Sequence, residues 1–194
     1  MTRLHDVRGF TITELLMVVA LISIVAAMAM PLFTSSSAQL RLSNATRAVE
    51  RELQIARMKA VRANRVMRMR FNCPAAGEYR AVELLGTLNA PAVDDDDARA
   101  AARCNVTNYP FPDTDPEFFA IPNNDGPVQT LPEDVTFGAA QTIDFWPDGS
   151  AHVGGSPVPL PMAGITLSMH HAKLGASADR QITVNGLGKI TLVQ

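Results

Sequence analysis

Glu14 is the side chain whose position most demands a chemical account. It stands at the head of an apolar run from Leu15 to Phe33 that only Ser23 interrupts, and about 19 such residues suffice for a helix to cross the hydrocarbon core of a bilayer. A carboxylate in such a segment costs about 2.5 to 3.5 kcal/mol on insertion scales, so it implies a partner or a function. The chemistry open to it is pairing with a cation in a low-dielectric setting, where such pairs count for more than in water. The competing reading is an acidic residue that snorkels at the membrane surface.

Other reactive side chains offer less. Cys73 and Cys104 are the only cysteines; in an oxidising compartment they can close a loop of about 30 residues, worth about 3 to 4 kcal/mol, and the rival is two buried thiols. His170 and His171 are adjacent on an expected strand, so their rings point to opposite faces and cannot share a metal. His5 lies near the start and His152 reads as isolated. The four carboxylates of Asp94 to Asp97 cannot all converge on one calcium ion, and the run reads as solvated charge. There is no Gly-x-Ser-x-Gly elbow, and Gly186-Leu187-Gly188-Lys189 has neither the length nor the following Ser or Thr of a phosphate loop. These residues predict no enzyme, no metal and no cofactor.

Charge is distributed unevenly. The net charge of −2 conceals nine Lys or Arg against Glu50 and Glu52 between Arg41 and Arg70, a formal +7, while residues 71–194 carry −9. On a helical wheel Arg47, Arg51, Arg62 and Arg65 fall within an arc of about 60 degrees. Two readings fit: a basic track for an anionic ligand such as DNA or the acidic head of an adjacent subunit, or a solvated face with the two glutamates as counterions.

The elements that must position these residues follow from periodicity. Arg3 and Arg8 precede the apolar run and no further cation occurs until Arg41, which orients the segment with its start in the cytoplasm and its bulk outside. A cleaved secretory signal would be shorter and end in a small-residue site. Beyond Thr34-Ser35-Ser36-Ser37, the residues Leu42, Ala45, Val49, Leu53, Ala56, Ala60, Ala63 and Met67 recur at steps of three or four and draw an apolar stripe. One helix from Thr11 to Asn64, about 80 Å long, would serve lipid and neighbouring subunits with its first half and its own head with its second. Alternation at 66–71 and 79–84 about a turn at 74–77, at 142–146 and 150–153 about Pro147-Asp148-Gly149, at 165–169, and at 181–184 and 189–193 about Asn185-Gly186-Leu187-Gly188 predicts antiparallel strands. Residues 86–134 are rich in Pro, Asp and Asn with little periodicity and read as a variable insertion, which Phe111, Phe118 and Phe119 would pin to the head. The fold class expected is α+β: a long N-terminal transmembrane and amphipathic helix packed on a mostly antiparallel β-sheet head.

Gly9-Phe10-Thr11-Ile12-Thr13-Glu14-Leu15-Leu16 resembles the class III signal of type IV pilins and type II secretion pseudopilins. The resemblance implies a leader at 1–9 that a membrane-embedded prepilin peptidase removes after Gly9, with N-methylation of the new terminus at Phe10. It implies a transmembrane and filament-core helix at 10–33, an amphipathic continuation at 34–65 and a periplasmic head at 66–194. Glu14 falls at the family's fifth mature position, where it would pair with the new terminal amine of a neighbouring subunit or its own chain and set register, and Pro31 falls where many members carry a helix-loosening proline. The run 53–64 leading into a strand, the Phe145-Trp146-Pro147-Asp148-Gly149 turn and the Gly188-Lys189 hairpin resemble the GspH/FimT group of minor pseudopilins and pilins. That resemblance implies a low-abundance subunit that initiates or caps a filament in the inner membrane, with other minor and major subunits and an assembly platform as partners. Some FimT-type members bind DNA through a Gly-Arg-x-Arg motif. Here the matching residues are Gly188, Lys189, Ile190 and Thr191, so a DNA receptor using the helix arginines, Arg180 and Lys189 is the weaker alternative.

Overall fold

The computed structural model describes residues 10–84, 111, 125–138 and 140–193. The chain divides into two compact units, one ending at Ser37 and one starting at Ala38. A single helix, α1 (Ile12–Ala63), contributes to both, one residue shorter at each end than the sequence predicts.

In the first unit α1 is apolar on all sides from Leu15 to Phe33, and every residue with a described side chain from Phe10 to Ser36 is exposed. In the second unit its periodicity takes over. Ala38, Leu42, Ala45, Val49, Leu53, Ala56 and Ala60 are buried, the i, i+3, i+4, i+7 stripe of a helix with one covered face. The stripe ends earlier than expected: Ala63 is half-buried, and Met67 is buried as a strand residue instead. The helix stops because Asn64 turns into the left-handed region at φ 52° and the Arg65 N–H reaches back to the Ala60 carbonyl at 3.2 Å, a Schellman stop in which Asn replaces the usual Gly.

Nine strands follow among the described residues: β1 (Val66–Phe71), β2 (Glu78–Leu84), β3 (Gln129–Thr130), β4 (Val135–Phe137), β5 (Ile143–Phe145), β6 (Ala151–Val153), β7 (Ile165–His171), β8 (Arg180–Val184) and β9 (Ile190–Val193). They form two antiparallel sheets, ordered β3-β2-β1-β5-β6 and β4-β7-β8-β9. The α+β class holds. Two short strands correct the sequence reading, because β3 lies inside the stretch assigned to a structureless insertion and β4 just beyond it. Two or three residues are too few to carry a period-two signal.

The helix stripe shares one core with Met67, Met69, Ile143 and Phe145 of the first sheet and Leu167, Met169, Ile182 and Val184 of the second. Phe137 of β4 ties the sheets together edge-on, 5.1 Å from Phe71 and 5.6 Å from Tyr79 between ring centres. Across β1 and β5, Arg68 stands opposite Asp144. It donates two hydrogen bonds of 2.7 and 2.8 Å to that carboxylate, which also accepts the Gly155 N–H at 2.8 Å. That saturates a buried charge pair which would otherwise be costly. Phe111 is exposed, so it does not pin the insertion; Phe118, Phe119 and Asp94 to Asp97 lie outside the described residues.

Candidate functional site

At the start of α1, Thr11 takes the N-cap position. Its hydroxyl accepts the Glu14 N–H at 3.2 Å, and its carbonyl accepts the Leu15 N–H at 3.1 Å. Glu14 is thereby the third helical residue, in the first turn, where a carboxylate faces the positive end of the helix dipole. Thr-x-x-Glu is the spacing of a capping box, a signal present in the sequence that reading Glu14 only as a counter-charge passes over. Phe10 precedes the helix and is 80% exposed. Gly9 lies outside the described residues. The backbone of α1 runs through Pro31 without interruption.

The six basic residues singled out in the sequence do not gather. Arg47, Arg51 and Arg62 are exposed on α1, and Arg65 is exposed just past its end. Arg65 leans toward the buried Glu83 carboxylate at 3.8 Å. Arg180 begins β8, and Lys189 follows the turn after that strand, so the strand's length separates them.

A basic residue that was not singled out, Arg57, organises the second unit. Its Nε donates to the Gly149 carbonyl at 2.8 Å and its Nη2 to the Leu187 carbonyl at 3.2 Å, so one guanidinium joins the Asp148-Gly149 turn to the β8–β9 turn. Gly149 and Gly188 have φ of 82° and 70°, the region open to glycine. A Cβ on Gly188 would collide with the Gly149 carbonyl and Arg57. The β8–β9 turn is held by Asn185, whose side-chain oxygen accepts the N–H groups of Leu187 and Lys189 at 3.1 and 3.0 Å. Beside it lies an open groove of about 430 Å³ lined by Gln54, Arg57, Met58, Leu187, Gly188, Lys189 and Ile190. The sequence marks both turns but carries no signal for which helix arginine meets them.

His152 is not isolated. Its ring stacks on Trp146 with centres 4.4 Å apart, Nδ1 faces the Pro157 carbonyl at 3.0 Å and Nε2 the Ser150 hydroxyl at 2.8 Å. That hydroxyl donates to Asp148 at 2.5 Å. The Ser150 bonds hold the Asp148 carboxyl below its ordinary range. With its hydroxyl engaged on both sides, Ser150 braces the turn. His170 is exposed and His171 buried, on opposite faces as strand geometry requires. Cys73 is buried and disulfide-bonded; Cys104, the chain's one other cysteine, lies outside the described residues.

Residues 45–188 match the profile of the type II transport protein GspH, and residues 4–30 match that of the prokaryotic N-terminal methylation motif. The chain belongs to the GspH family. Its GspH region takes in most of the buried helix stripe, the first sheet, the second sheet except β9, and both turns that Arg57 joins. Among solved structures, the Pseudomonas aeruginosa type IV minor pilin FimU is similar at 14% identity, covering 79% of this chain and 88% of FimU with a TM-score of 0.46. The minor pseudopilin EpsH of the Vibrio cholerae type 2 secretion system is similar at 11% identity, covering 79% of this chain and 96% of EpsH with a TM-score of 0.45. No similarity to a curated protein sequence reaches significance.

Proposed function

We propose that this GspH-family protein is a minor subunit that initiates or caps a type IV pilus or a type II secretion pseudopilus, with an assembly role and no catalysis. A prepilin peptidase cuts between Gly9 and Phe10 and the new Phe10 amine is methylated. The anchor then holds the chain in the inner membrane with its head in the periplasm until the assembly platform moves it into a filament beside other minor and major subunits. The observation that carries this reading is the double use of α1: apolar but for Ser23 from Leu15 to Phe33 with every described side chain there exposed, and buried along one stripe from Ala38 to Ala60. The exposed half suits lipid first and neighbouring subunits afterwards.

Glu14 then has two tasks. It closes the first turn of the helix, and it presents a counter-charge to the new terminal amine of an adjacent subunit. Pro31 lacks the N–H that would serve the Ala27 carbonyl, which loosens the helix at the point where assembly must bend or stretch it. A Glu14→Ala variant is expected to be processed and inserted normally while its recovery in sheared filaments falls at least about tenfold, the loss of a pair worth 1.4 kcal/mol or more. Wild-type recovery refutes the counter-charge role. The rival reading, a DNA receptor for natural transformation, has less support, since a strand's length separates Arg180 from Lys189 and Arg65 leans toward the Glu83 carboxylate.

A further inference from the structure

We propose that the open edge of β9 and the groove beside it form a docking site for an extended, acid-bearing segment of a neighbouring filament subunit, an inference that rests on the subunit reading above.

Four strands end the two sheets, and three are blunted. β3 has two residues and runs into Pro132. β6 is covered by its own chain, with the Leu160 N–H on the Ala151 carbonyl at 2.8 Å and a bridge from His152 to Pro159. β4 is entered through Glu133 and Asp134, the latter paired with Lys173 at 2.7 Å. β9 is the longest of the four and contains no charge and no proline, with Leu192 and Val193 exposed at 40% and 43%. Natural sheets protect such edges with short strands, charges, prolines or covering segments; among the described residues β9 has only the charge of Lys189 just before it, and no proline or covering segment.

The hydrogen-bond ladder tells which groups are free. Asn185 N–H donates to the Lys189 carbonyl at 3.1 Å, and the antiparallel pattern alternates from there. Thr191 and Val193 therefore bond to Thr183 and Gln181, their partners in register, and Ile190 and Leu192 turn their N–H and C=O groups to the open side. Where β9 begins, this edge runs into the groove. Met58 and Leu187 give it exposed apolar walls. Arg57 and Lys189 give it two cations with no salt bridge to a carboxylate among the described residues, Arg57 being hydrogen-bonded to carbonyls. Strand addition supplies affinity through the backbone and specificity through alternate side chains, so the fitting partner is extended and alternates apolar with acidic residues. A nucleic acid would neutralise the cations but has no backbone amides for the free carbonyls of β9 and no side chains for Met58 and Leu187.

The test uses the full chain in detergent micelles and a fluorescent peptide of about ten residues alternating valine and glutamate, with a valine–lysine counterpart. The acidic peptide is expected to bind at least about tenfold more tightly than the basic one. Leu192→Pro, which removes one outward N–H and leaves the β8–β9 ladder intact, and Lys189→Glu should each weaken it at least about tenfold, whereas Arg47→Glu on the same helix should leave it unchanged. Lys189→Glu is a surface change that keeps the test decisive if Leu192→Pro misfolds. No binding, equal binding of the two peptides, an undiminished Lys189→Glu variant, or preference for a short DNA duplex overturns the proposal. Such a failure leaves the subunit reading standing, since that is judged by Glu14→Ala in filaments.

Discussion

The two halves of α1 share a backbone and differ in what their side chains face. From Ile12 to Ser37 the helix has apolar residues on every side and no covered face; from Ala38 to Ala63 it has a narrow stripe of Ala, Leu and Val sunk into the head and arginines opposite. The helical hydrogen-bond ladder therefore says nothing about solvent. The distribution of apolar residues around the axis decides whether a segment suits a lipid or protein environment on all sides or one buried face.

The two halves should respond most differently to the same deletion made in each. Leu53→Ala removes a fully buried side chain and should cost the head about 2 to 5 kcal/mol. Leu16→Ala, on an exposed position, should leave the head's denaturation midpoint in urea unchanged. Equal effects would mean that the halves are not energetically distinct.

A smaller effect separates the stripe from the clamp at its side. Arg57→Ala leaves the Gly149 and Leu187 carbonyls without their donor and should cost about 1 to 3 kcal/mol. Gly188→Ala should cost at least about 1 kcal/mol, since it adds a collision to a positive φ. Because both act on the same junction, the double variant should lose less than the two single losses together, which a double-mutant cycle in urea would measure.

The smallest effect is a pH dependence confined to the second half. Burial, reinforced by Glu52 on the helix and opposed by Arg51, pushes Tyr79 up to about 12 from its ordinary 10.0. The folded head holds the phenol neutral while the unfolded chain ionises it, so this stabilisation is complete below pH 10 and is lost as pH rises toward 12. Tyr79→Phe should flatten the decline in stability across that interval. An unchanged slope would place its origin elsewhere.

Much of this molecule was legible because its signals are long or local. The apolar run, the stripe from Leu42 to Ala60 and the alternation at 66–71 and 165–169 repeat often enough to name their element, and the Asp148-Gly149 and Asn185–Gly188 turns announce themselves by residue type. What was hidden is either brief or distant. β3 and β4 have too few residues to show a period. His152 looked isolated because Trp146, Ser150 and Pro157 meet it through the folding of a hairpin. Arg57 was one of nine cations in its region, and only the packing of two distant turns distinguishes it. At the helix start the reverse holds: Thr11 and Glu14 are three residues apart, and their capping pattern was open to reading.

The Arg57 clamp also fixes an order of events. Its two acceptors lie 92 and 130 residues further along the chain, so it cannot close until nearly all of the polypeptide is available to fold. Contacts of such sequence separation form late and slowly. Until the final hairpin arrives, the stripe from Leu42 to Ala60 lacks part of the sheet that covers it, and its apolar surface is open to aggregation in competition with folding.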